Sequence, residues 1–222
     1  MFEQRTKPQS QALSPEMAKS DPASFKALAL ETLGAKSVLG AQLWSFGVNN
    51  GLIHPDKISL DTTTWVSRSG AQGDIVLGTQ PIDQKTKDRV MFHGERFSYP
   101  EEVSYKLLHE AAHSFLFLVQ GLETVEPLRR AASGVREQSG GNRGLTALGS
   151  LDFYKGERKV TEDTVELMTM YAWDPAYMAE FATFLADPQQ SSVRNEVGLV
   201  TLGNSKVIYD LVSRAVDGAL AA

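Results

Sequence analysis

The sequence predicts an α+β domain in which a small, at least partly antiparallel sheet sits between helical segments. Three observations lead there. A block of short, β-branched and alternating stretches falls between residues 57 and 93. Segments whose apolar residues recur at helical spacing flank that block on both sides. The chain has 222 residues, 42% of them hydrophobic and 22% charged, which is the size and composition of a single globular unit.

Taken in order, the first twenty residues are polar and aperiodic, so a mobile N-terminal arm over 1–20 precedes one domain over 21–222. A helix is expected from Asp21-Pro22, an N-cap followed by proline, to about Phe46; Phe25, Leu28, Leu33, Val38 and Leu43 carry its spacing. Asn49-Asn50-Gly51 and His54-Pro55 mark a turn, and His54 reads as a surface histidine rather than a ligand. Residues 57–66, 74–78 and 89–93 read as three strands, with His93 at the margin of the last.

Ser98-Tyr99-Pro100-Glu101 is a capping box with proline in the first turn and Glu101 and Glu102 at the positive helix end. A helix should run from about Tyr99 to Gln120 and stop at Gly121, its apolar second half (114–119) buried on every side. Gly134, Gly140, Gly141, Gly144 and Gly149 predict a loop insertion over 133–150. Further helices are expected from Thr161 to before Asp174-Pro175, from about Pro175 to Leu185, and from near Asn204 onward. The last should bury Val207, Leu211, Ala215 and Val216.

Composition narrows the chemistry. With 22 basic and 27 acidic residues the formal net charge is −5, which argues against nucleic acid as a partner. The absence of cysteine excludes disulfide scaffolds, thiol nucleophiles, Fe–S clusters and thiolate metal sites. Neither a secretory leader nor a membrane-spanning segment is evident, so no membrane partner and a cytoplasmic location are expected. The oligomeric state is left open.

Histidine chemistry must come from His54, His93, His109 and His113. The last two belong to His109-Glu110-Ala111-Ala112-His113, on the helix that the capping box starts. Residues four apart on a helix project side by side, so two imidazoles can grip one Zn²⁺. Glu110, rotated by about 100° from His109, can reach a water on that ion and act as general base. Burying His, Glu and His in an apolar helix without partners would cost several kcal/mol, and a metal supplies the partner.

A catalytic zinc takes three protein ligands plus water. A third histidine in the extended motif would need glycine at 116 and histidine at 119, which are Leu116 and Val119. A second Glu-x-x-His, as in di-iron bundles, is missing. A carboxylate from another helix remains. Glu162 and Glu166 share a helix face, and Glu162 is favoured as ligand over Glu166, Asp163 and Asp152. Glu166, one turn on, would then accept the free N–H of a ligating histidine.

These two motifs together resemble the zincin metallopeptidases of the gluzincin type, in particular the lethal-factor-like group with His-Glu-x-x-His and a downstream Glu-x-x-x-Glu. The resemblance covers about residues 57–185. It implies a small twisted, mostly antiparallel sheet packed on an active-site helix, followed by a mainly helical C-terminal part. It also implies an edge strand that binds substrate backbone, and hydrolysis of a peptide or protein substrate. His109, His113 and Glu162 would be zinc ligands and Glu110 the base, with Tyr154 the candidate for stabilising the oxyanion. A catalytically silent metal-binding or protein-interaction domain of the same fold is the alternative; a third reading is hydrolysis of a non-peptide amide.

Overall fold

The computed structural model describes residues 13–70, 72–83, 97–138, 157–186 and 205–221. Polar side chains at helix starts set much of the layout. Ser14 accepts the Met17 N–H and starts α1 (Pro15–Ser20), and Asp21 accepts the Ser24 N–H and starts α2 (Pro22–Lys36). Ser37 then breaks the helix that the spacing predicts as continuous to Phe46. Its extended backbone ends α2, its Oγ accepts the Gly40 N–H at 2.7 Å to start α3 (Val38–Asn49), and its hydroxyl donates to the Ala172 carbonyl.

Among the described residues the sheet is small, three-stranded and mixed. Strands β1 (Ile58–Asp61), β2 (Arg68–Ser69) and β3 (Ile75–Gly78) lie in the order β1-β3-β2. The β1–β3 pair is parallel, with Ile58 opposite Ile75, and only β2–β3 is antiparallel. The mostly antiparallel sheet is therefore corrected. The expected strand over 57–66 stops at Asp61, whose carboxylate accepts both the backbone N–H and the hydroxyl of Thr63. Short polar side chains there offer the backbone a turn in place of a ladder. The strand expected over 89–93 falls outside the described residues.

Helix α4 (Tyr99–Val119) follows its capping box: the Glu101 carboxylate accepts the Ser98 backbone N–H at 2.8 Å and its hydroxyl at 2.6 Å. It is the central post of the fold, with α2, α3, β2 and β3 packed on it. Its second half is not buried all round, as Phe117 and Leu118 reach the surface. Then come α5 (Glu126–Gln138), α6 (Glu157–Trp173), α7 (Pro175–Ala186) and α8 (Ser205–Leu220). Helix α6 packs along α4 and carries α5, α7 and α8 on its other sides.

Several boundaries moved. Helix α5 extends through 133–138, expected to be loop, because Val125, Leu128 and Ala132 anchor the amphipathic segment that leads into it; the rest of the expected loop falls outside the described residues. Helix α6 begins one turn earlier than Thr161. Helix α8 buries Ile208, Val212, Ala215, Val216 and Ala219, whereas Val207 is exposed. At the other end, residues 13–20 are not a free arm: Leu13, Met17 and Ala18 join the common hydrophobic core. Among the described residues there are eight α-helices and one three-stranded sheet, which packs on α4, and no helix is long and apolar enough to cross a membrane.

Candidate metal centre

Tyr105, His109 and His113 are spaced four residues apart and form one column on α4; Glu162 and Glu166 do the same on α6. Packing of α4 against α6 brings the columns face to face. The Tyr105 hydroxyl donates to Glu166 Oε1 at 2.9 Å, and Glu166 Oε2 lies 2.9 Å from His109 Nδ1. One turn along, Glu162 Oε2 lies 3.5 Å from His109 Nε2 and 3.4 Å from His113 Nε2. Ligand atoms of His109, His113 and Glu162 all fall within 4.8 Å of one another, so this group could hold a metal ion.

Two features of this arrangement suit a bound cation. Glu162 Oε2 is buried and accepts no hydrogen bond, although two imidazole nitrogens face it. An orphaned buried carboxylate oxygen is costly unless something positive meets it. The spacing is the second feature. Two ligands each about 2.0–2.1 Å from a tetrahedral ion stand about 3.3–3.4 Å apart, too far for a good hydrogen bond and close to the two distances found.

The electrostatics agree with this geometry. Burial alone would lower the pKa of His109, yet the facing carboxylates of Glu162 and Glu166 and the charge of Glu110 outweigh it and raise the value to about 10. Burial would likewise raise Glu162, but the two histidines hold it well below the ordinary carboxylate range. The cluster thus has a strong demand for one positive charge, which a proton meets in the metal-free protein and a cation can meet instead.

Other side chains serve this core. Tyr105 is 4% exposed and its ring stands in an aromatic cluster with Phe97 and Trp173, at centroid distances of 5.2 and 5.6 Å. Burial, then the Glu166 charge, push its phenol well above the usual range, so it stays a hydrogen-bond donor. Below it, Glu102 Oε1 accepts the Ile82 N–H at 2.9 Å and lies 3.4 Å from Lys106 Nζ, which donates to the Gln80 carbonyl at 3.2 Å. This brace fixes the chain leaving β3 to the helix that carries the histidines.

Side-chain exposure rises from 4% at Glu162 through 12% at His109 to 20% at His113, so the centre opens on the His113 side. A cleft of about 400 Å³ begins there, bordered by Leu52, His54, Gly73, Ser114 and Phe117.

Of the residues singled out from the sequence, His109, His113, Glu162 and Glu166 are brought together, and Glu110 is buried beside His109. Asp163 is buried but stands outside the cluster. His54 is half-buried on the cleft wall rather than freely solvated. Asp152, Tyr154 and His93 fall outside the described residues. Tyr105 was missed in the sequence, although its place four residues before His109 is the signal that could have found it. Compared with known proteins, the chain matches no family model, no curated protein and no solved structure.

Proposed function

We propose that this chain is a zinc-dependent hydrolase of peptide bonds, with His109, His113 and Glu162 as zinc ligands and Glu110 as general base. The observation that carries this reading is the buried, unbonded Oε2 of Glu162 facing two imidazole nitrogens at 3.4 and 3.5 Å. Zinc bound there would supply Lewis acidity for a scissile carbonyl and for the attacking water. Glu166 accepts the Nδ1–H of His109 and so leaves Nε2 as the ligand atom, while Tyr105 holds Glu166 in place. The Glu110 carboxylate takes the proton of the attacking water and delivers it to the departing amine. The same residues carry the resemblance to gluzincins.

The test is Glu110→Gln. The variant should keep one zinc per chain while cleavage of a mixed peptide library drops by about 10²–10⁴-fold. Loss of zinc from that variant would contradict the role given to Glu110. A wild-type protein that holds zinc and cleaves nothing would favour a silent metal-binding domain.

A further inference from the structure

The cleft beside His113 has one wall of backbone and one of helix. The backbone wall joins the loop before β1 to the turn between β2 and β3: the His54 N–H donates to the Gly73 carbonyl at 3.0 Å. Within that turn the Gly70 N–H donates to the Asp74 carbonyl at 2.8 Å. Gly73 has φ +72°, and a Cβ there would stand 2.8 Å from both His54 Cδ2 and the Leu52 carbonyl oxygen. Only glycine lets the His54 ring lie against this turn. The half-buried ring borders the cleft and makes no hydrogen bond with any described residue, so a hydrogen bond to a group in the cleft would compete with none of those residues.

The helix wall carries Phe117, one turn beyond His113 and on the same side of α4. It is 70% exposed, on a helix otherwise largely buried. A large aromatic side chain held open to water next to a candidate reaction centre is a contact surface for an apolar group. The cleft volume is that of a pocket for a few residues of chain, not for a folded partner.

We infer that the cleft seats the substrate residue beside the bond to be cut, with a bulky apolar side chain against Phe117 and a backbone carbonyl accepting a hydrogen bond from the His54 ring. This rests on the hydrolase reading above and adds a substrate class: peptides with an aromatic or large aliphatic residue next to the scissile bond.

Two hydroxamates serve as probes on the zinc-loaded full chain, acetohydroxamate and N-acetyl-phenylalanine hydroxamate, with binding measured by calorimetry. The phenylalanine probe should bind wild type at least about tenfold tighter, in the range that one added apolar group commands. Phe117→Ser and His54→Ala should each erase most of that margin and leave zinc content and acetohydroxamate affinity as in wild type. Val38→Ser, on the exposed side of α3, should change nothing. Equal affinity of the two probes for wild type, or the full margin kept in either cleft variant, overturns the cleft assignment and leaves the hydrolase reading standing. Failure to bind zinc, or acetohydroxamate when zinc is bound, overturns that reading and the cleft assignment with it.

Discussion

Tyr105 on α4 donates its hydroxyl to Glu166 on α6 across 2.9 Å, and the other oxygen of the same carboxylate meets His109 Nδ1 at the same distance. The relay ties the orientation of one imidazole to two helices at once. Tyr105→Phe should therefore fold normally but bind zinc more weakly, and Glu166→Ala more weakly still, within the roughly 10–100-fold range for partners that orient a ligating histidine. Competition with a chelator of known affinity measures this, and unchanged affinity in both variants would mean that His109 needs no orienting partner.

The pH dependence has a definite sign. The folded pKa of His109 is raised from 6.5 to about 10, so in chelator-treated protein its stabilising share is full below 6.5 and fades as pH climbs toward 10. Glu162 is lowered from 4.5, so its share is present above 4.5 and is lost on acidification. Stability from the pair should peak between about 4.5 and 6.5. Melting of the metal-free protein across that range and up to pH 10 should show an alkaline decline that His109→Asn flattens. Zinc must displace the His109 proton, so its affinity should rise with pH over the same alkaline interval.

Neighbouring glutamates on α4 should differ sharply in worth. Glu101 pairs at 2.6 Å with Lys36, whose side chain is half exposed, and Lys36→Ala should cost no more than about 1 kcal/mol. Glu102 is fully buried, and Glu102→Ala would remove the carboxylate that faces the buried Lys106 ammonium and accepts the Ile82 N–H. That loss should reach about 3–5 kcal/mol in denaturant unfolding.

Two glycines should respond oppositely to alanine. A Cβ at Gly78 would stand 2.5 Å from the Trp65 carbonyl carbon and the Val66 carbonyl oxygen, so the backbone there would have to shift. Gly78→Ala should destabilise by about 1–3 kcal/mol. Gly34, inside α2, has nothing within 4 Å of its would-be Cβ, so Gly34→Ala should stabilise by up to about 1 kcal/mol. Equal effects in unfolding experiments would contradict the packing around β3.

What was legible in the sequence was local. The capping box at Ser98 and Glu101, the four-residue step from His109 to His113 and that from Glu162 to Glu166 all depend on helix geometry, which a single segment carries within itself. Those steps sufficed to name His109, His113, Glu162 and Glu166, which the fold brings together, but not Tyr105, which joins them. What is set by more than one segment was not legible. The break at Ser37 depends on a carbonyl of α6, the parallel β1–β3 pairing on chain that returns past β2, and the burial frame of α8 on the helices beneath it. The exposure of Phe117 is of the same kind: an apolar residue on an apolar helix stays in water only where no other described element covers it, and only packing between helices decides that.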